Sequence, residues 1–165
     1  MMTIDKTSKK IRKAKHSELD EIARIANKTF DSFYRSFLSD HNVNWYVNSG
    51  ELKREIVKHA NDLYVLLADN IITGFIIYFN DFIHIMMIDT NAHRSGMGSY
   101  LLNAVEEELF KDHNHIKLQS FAGNDIATNF YLKNGWTKGQ LNNAQSDVAM
   151  MYFGKSKNYS TTKSK

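Results

Sequence analysis

Residues 63–88 carry three apolar segments in a row, and this run constrains the fold more than any other part of the chain. LYVLLA (63–68) and IITGFIIYF (71–79) are rich in β-branched and aromatic residues, and they flank Asp69-Asn70, a hairpin signal. FIHIMMI (82–88) follows as a third apolar strand. The spacing predicts three neighbouring antiparallel strands.

The elements around this run follow a different period. Residues 11–15 (IRKAK) alternate like a short strand. Ser17 then reads as an N-cap, with Leu19, Ile22, Ile25 and Ala26 on one helical face. Phe30, Phe33, Tyr34, Phe37 and Leu38 predict a second amphipathic segment, and Val43 to Ala60 a further helix weakened by Gly50. Beyond the run, Gly96-Met97-Gly98 opens a helix. Its buried face is Met97, Leu101, Leu102, Val105 and Leu109, with Glu106, Glu107 and Glu108 mostly toward water. IKLQSF (116–121) is strand-like, Asp125 to Asn134 is a short helix closed by Gly135, and DVAMMYF (147–153) is a last strand. This order fits an α/β (α+β) class, a mixed, mostly antiparallel central sheet with helices on both faces.

A chain of 165 residues suits one domain. We expect a flexible basic tail over 1–10, a single domain over 11–154 and a second flexible basic tail over 155–165. The charge supports this division. Residues 1–16 hold six Lys/Arg against one acid and residues 155–165 hold four lysines, whereas 17–154 holds 11 basic and 17 acidic residues. The overall +3 therefore hides an acidic body, which argues against a nucleic-acid face and favours cationic small molecules or lysine-like amines. No apolar run approaches the ~18 residues of a membrane span, and the lysine-rich start lacks the apolar stretch of a secretory signal. Cysteine is absent, which removes disulfides, thiolate metal sites and a cysteine nucleophile. A cytoplasmic enzyme, monomeric or homodimeric and with no membrane partner, is the expectation.

The stretch Ile85 to Leu102, IMMIDTNAHRSGMGSYLL, carries the chemistry. A buried strand ends, a loop turns, and two glycines precede a helix. Such a turn presents unpaired backbone N–H groups at a helix N-terminus, where the macrodipole favours an anion such as a pyrophosphate. Arg94 adds charge beside it. A GxG turn alone is more often a plain helix start. A dinucleotide fingerprint would need glycine where Leu101 stands, and no Gly-Lys-Ser/Thr tripeptide marks a P-loop.

The segment resembles the coenzyme A motif of the GNAT superfamily, the acetyl-CoA-dependent N-acetyltransferases, whose pattern is Arg/Gln-x-x-Gly-x-Gly/Ala. Gly96 and Gly98 match; His93 departs from the Arg/Gln position, with Arg94 next to it, and the proline of the preceding Val-x-Pro is missing in Ile88-Asp89-Thr90. Downstream, Asn124, Ala127, Tyr131 and Gly135 match a second family pattern, with Trp136 in place of its phenylalanine. Element order agrees from Ile11 to Phe153. The resemblance implies a sheet splayed at the cofactor site, acetyl-CoA as co-substrate and an amine acceptor.

It also implies roles. Backbone groups of Met86, Met87 and Ile88 would meet the pantetheine, although the same residues serve as sheet core. N–H groups from His93, Arg94, Ser95, Gly96, Met97, Gly98 and Ser99 would hold the pyrophosphate. Asn124 either bonds the pantetheine arm or caps the next helix. Tyr131 matches the family's general acid, and a phenol with a pKa of about 10 can protonate a departing thiolate. The base is less constrained. The strand before the motif lacks a carboxylate and offers His84, expected to share a face with Met86 and Ile88; Asp81 and Asp89 are the other candidates. The aromatic stripe Phe30, Phe33, Tyr34 and Phe37, with Trp45 and Tyr46, lies where the family builds its acceptor pocket, and it reads equally as core. His113 and His115 form no Cys/His cluster and no HExxH is present, so no metal is expected. A non-catalytic acyl-CoA-binding module on the same fold is the alternative.

Overall fold

The three-strand run becomes the centre of a seven-stranded sheet. The structure is a computed structural model, which describes residues 7–142 and 149–158. In chain order the elements are β1 (Lys9–Lys13), α1 (Leu19–Phe33), α2 (Asp40–Ser49), α3 (Glu51–Lys58), β2 (Leu63–Ala68), β3 (Ile71–Phe79), β4 (Phe82–Ile88), α4 (Met97–Leu109), β5 (His115–Phe121), α5 (Asp125–Lys133), β6 (Thr137–Asn142) and β7 (Met150–Ser156). The strand order is β1-β2-β3-β4-β5-β7-β6, and every described pairing except β4–β5 is antiparallel. Asp69 and Asn70 both take positive φ (50° and 66°), the twist that a two-residue hairpin needs.

Two hydrophobic clusters cover the two faces. Ile22, Ile25 and Phe30 of α1, Val43 of α2 and Leu52 and Ile56 of α3 pack on Val65, Leu67, Phe75, Ile77 and Met87. On the opposite face Met97, Leu101, Leu102 and Val105 of α4 and Tyr131 of α5 pack on Leu66, Ile76, Ile83, Leu118 and Phe153. Alternate residues of β2 and β3 thus feed both cores.

Several local expectations are corrected. Ser17 does not cap α1. It lies in a 3-10 turn (His16–Glu18), and the Glu18 carboxylate accepts the Lys15 N–H at 2.7 Å and the Arg12 guanidinium at 2.8 Å and 2.9 Å. The Phe30–Leu38 stripe is not a separate helix: α1 ends at Phe33, and turns carry Tyr34 to Leu38. Gly50, at φ 78°, cuts the expected 43–60 helix into α2 and α3, because a left-handed residue cannot continue a right-handed helix. β6 carried no readable apolar pattern; all but one of its residues are exposed. The last strand begins at Met150, past Asp147 and Val148, which lie outside the described residues, and it runs on to Ser156.

Glu106 is a further correction, since its side chain meets Trp136 and, from β7, Lys155 rather than water. Its carboxylate is buried and accepts Trp136 Nε1–H at 2.7 Å and Lys155 Nζ at 2.9 Å. Lys155, expected in a solvated tail, also donates to the Asn134 carbonyl at 2.9 Å. Likewise Lys9 and Lys10 belong to β1. Among the described residues no helix is long and apolar enough to cross a membrane.

Candidate active site

The parallel pair β4–β5 sets the site. Only Phe82↔Lys117 and Ile83↔Leu118 pair; beyond them the two strands part. A cavity of about 360 Å³ occupies the split. Its walls are β4 from Ile83 to Met87, β5 from Leu118 to Phe121, Asn124 and Tyr131 of the α5 region, and Phe30, Tyr34, Tyr46, Glu51 and Glu55 from the helices before β2. The expected splay is therefore present, and β4 keeps an edge without a ladder partner at Met86 and Met87.

Beyond β4 the chain makes a 3-10 turn (Thr90–Ala92) and enters α4 through Gly96, at φ 79°. The first-turn N–H groups of Met97, Gly98 and Ser99 have no partner inside the helix. No side chain caps this end. A Cβ on Gly98 would stand 3.3 Å from the Phe130 ring, so the glycine lets α5 pack close to the start of α4. Arg94 (φ 61°) and Ser95 are exposed on the approach, and Ser95 Oγ donates to the Ala92 carbonyl. Met97 instead turns into the core. His93 stacks on Phe33 at 4.8 Å and donates from Nε2 to the Ile88 carbonyl at 2.9 Å. Its ring fastens the loop to the end of β4 and takes up the Ile88 carbonyl.

Asn124 takes the capping role: Oδ1 accepts the Ala127 N–H at 3.1 Å as the N-cap of α5, and the residue also lines the cavity. Tyr131 is buried against Trp136 and Phe153, and its hydroxyl makes no hydrogen bond to the described residues. Burial pushes its pKa up to about 12, so the phenol stays protonated near neutrality. Burial and the nearby Tyr131 also raise Tyr34.

His84 does not share a face with Met86 and Ile88. The β3–β4 register slips between Ile77 (opposite Ile85) and Tyr78 (opposite Ile83), which leaves His84 as the extra residue of a bulge. The bulge re-aims the imidazole toward α3, where Nε2 donates to Glu55 Oε1 at 2.7 Å. His59, at the end of α3, donates to the same oxygen at 3.1 Å. Burial would raise the Glu55 carboxyl, but the His84 hydrogen bond and the charges of His84, His59 and Lys58 outweigh it, and the pKa is lowered.

The other base candidates are engaged elsewhere. Asp89 is buried and paired with Arg24 at 3.1 Å and Lys28 at 3.7 Å, and it accepts the Asn91 N–H. Asp81 sits in the β3–β4 turn beside Lys117 and does not line the cavity. Of the aromatic stripe, Phe30, Tyr34 and Tyr46 line the cavity; Phe33 holds His93, Phe37 packs on Tyr34 and Phe121, and Trp45 is exposed. Glu51, Glu55 and His59 belong to no motif. The one trace of them is the helical i,i+4 spacing of Glu55 and His59, which says nothing about what they face.

The sequence matches the family model described as the acetyltransferase (GNAT) domain over residues 11–151. No curated protein matches it significantly. Solved structures share the fold. A GCN5-related N-acetyltransferase of Rhodopseudomonas palustris superposes with a TM-score of 0.78 at 14% identity, covering 94% of this chain and 99% of its own. The PaiA N-acetyltransferase of Thermoplasma acidophilum, solved in complex with coenzyme A, gives 0.71 at 18% identity, covering 88% and 98%. A GNAT-family acetyltransferase of Bacillus cereus gives 0.67 at 18%, covering 92% and 99%.

Proposed function

The chain belongs to the GNAT acetyltransferase family, and from that premise we propose that it moves the acetyl group of acetyl-CoA to a primary amine of a small molecule, polyamine or protein by direct attack. One observation carries this reading: a single cavity at the strand split joins Tyr131 and Asn124 to the Glu55–His84 pair. The residues present suit coenzyme A. The N–H groups at the start of α4 would hold the pyrophosphate, and the free edge of β4 with the Asn124 amide would hold the pantetheine.

The acceptor arrives as an ammonium ion, which has no lone pair. Glu51 and Glu55 in the cavity lining attract it, and the rings of Tyr34 and Tyr46 can stack on it. The Glu55–His84 pair takes its proton, directly or through water. The neutral nitrogen then bonds to the thioester carbon, and the carbon–sulfur bond breaks. Tyr131 gives its proton to the departing sulfur, and the second proton of the acetylated nitrogen leaves to the emptied phenolate, directly or through water, which restores the phenol. Its raised pKa suits a buried donor, because burial raises a thiol's pKa as well.

The test is thiol release from acetyl-CoA over a panel of primary amines, run beside calorimetric binding of acetyl-CoA. Saturable release with at least one amine supports the transferase. Tight binding with no release on any amine would instead make the protein an acyl-CoA-binding module, a reading that rests on the departure at His93 and on the lack of a carboxylate in Phe82–Ile88.

A further inference from the structure

Glu55, His59 and His84 bring three donor atoms into one corner of the site. Those atoms, one from each side chain, all lie within 4.8 Å of one another. The two imidazole Nε2 atoms stand 3.1 Å and 2.7 Å from the same carboxylate oxygen. In a four-coordinate zinc site, bonds of about 2.0–2.1 Å put neighbouring donors about 3.3 Å apart. The two edges need to open by only about 0.2 Å and 0.6 Å to reach that spacing. The donor set, two imidazoles and one carboxylate, is also the chemistry of zinc sites that keep a fourth position open. It disfavours magnesium and calcium, which call for oxygen ligands.

The corner is stiff. Glu55 and His59 lie one turn apart at the end of α3, and the His59 ring stacks on Phe79 at 5.4 Å with planes 6° apart. His84 is aimed by the bulge, with Phe79 and Phe82 about its ring at 5.9 Å and 6.2 Å. The three side chains are part-buried.

We propose that Glu55, His59 and His84 bind one transition-metal dication, zinc above all, with its open coordination position toward the acceptor end of the cavity. The metal takes each imidazole at Nε2, so each bound ring is neutral with its one proton on Nδ1. No redox step is involved. Resting on the proposed transfer reaction, a consequence follows: the metal occupies the Glu55–His84 pair, so zinc inhibits amine acetylation by removing its proton acceptor.

The untagged full chain, stripped with a chelator, is titrated with Zn2+ by calorimetry, and with Co2+ to read the visible bands of a four-coordinate ion. We expect one equivalent bound, a rise in Tm, and affinity at least tenfold weaker in His59→Gln. Where the amide disturbs the fold, His59→Phe keeps the stack on Phe79 and removes the ligand. A double variant, His113→Gln with His115→Gln, should bind as the wild type does. Wild-type thiol release should fall as Zn2+ is added and recover with chelator, whereas His59→Gln, compared with its own metal-free rate, should resist zinc. Absence of one-equivalent binding, or equal affinity in both His59→Gln and His84→Gln, would overturn the proposal. The two readings fail separately: thiol release without zinc binding sinks only the metal site, and zinc binding without thiol release sinks only the transferase.

Discussion

The cavity has two walls made in different ways. The wall proposed for coenzyme A is lined by Met86, Met87 and the Asn124 to Tyr131 stretch and continues beyond the cavity to the start of α4 at Ser99, and most of what it offers is backbone: a strand edge and a helix N-terminus. The opposite wall gathers side chains from α1, α2 and α3, with His84 from β4 and Phe121 from β5. One wall needs glycine at two positions and a helix start. The other needs particular side chains brought together across roughly ninety residues. A wall of backbone suits a part common to many substrates, while a wall of side chains can be changed residue by residue, so the proposed reaction puts selectivity for the acceptor on the second wall.

The largest expected effect tests whether the walls divide their labour. Tyr131→Phe keeps the ring packing on Trp136 and Phe153 and removes one oxygen. Turnover should fall about 10²–10⁴-fold while acetyl-CoA affinity holds. Wild-type turnover on the true acceptor would remove the general-acid role, and a parallel loss of affinity would blur the division.

Glu55→Gln probes the side-chain wall alone. Its amide oxygen still accepts from His84, but the negative charge is gone. Thiol release should drop by about 10²-fold at fixed amine, the low end for a lost general base. Acetyl-CoA binding, read by calorimetry, should not move. A variant as active as the parent would transfer the proton-accepting role to His84 alone or to water.

Gly98→Val addresses the backbone wall. The first added carbon meets the Phe130 ring at 3.3 Å, and the branch crowds the packing of α5 on the start of α4. Acetyl-CoA should bind at least tenfold more weakly, ~1.4 kcal/mol, and Gly98→Ala should fall between. Unchanged affinity in the valine variant would misplace the pyrophosphate site.

The smallest effect concerns the anchor of the side-chain wall. The Arg12 hydrogen bond to Glu18 fastens β1 to the chain entering α1; opposed by burial and helped by the Lys15 N–H, it lowers the Glu18 pKa from 4.5 to about 2. A lowered folded-state value means stabilisation that is present above pH 4.5 and lost as pH falls through about 2. Glu18→Gln should therefore lower stability by up to ~1 kcal/mol at neutral pH and flatten the acid limb of a Tm profile. A limb identical to the parent's would assign the acid sensitivity to another carboxylate.

How much was legible differs from wall to wall for the same reason. The hairpin at Asp69-Asn70, the entry of α4 at Gly96 and the cap at Asn124 are local: each depends on residues within a few positions. His84 misled because period-2 alternation assumes an unbroken ladder, and one bulge turned it from the face of Met86 to that of α3. Glu106 misled because a helix that is apolar on one stripe can still bury a charge where another element crosses it, here with Trp136 and Lys155 as partners. Glu55 and His59 could not be singled out at all.

By itself the sequence determined the strand run, the glycine-bearing entry to α4, the Asn124–Tyr131 segment and the family they match, because those features are written in contiguous residues and in the backbone geometry they permit. Tertiary structure alone decided that β4 and β5 part after Ile83 and Leu118. It also decided that His84 turns toward Glu55 and His59, and that Tyr34, Tyr46 and Glu51 face the same cavity as Tyr131. Those are meetings between residues far apart in the chain, and the packing of helices on a twisted sheet, not any local pattern, fixes which of them meet.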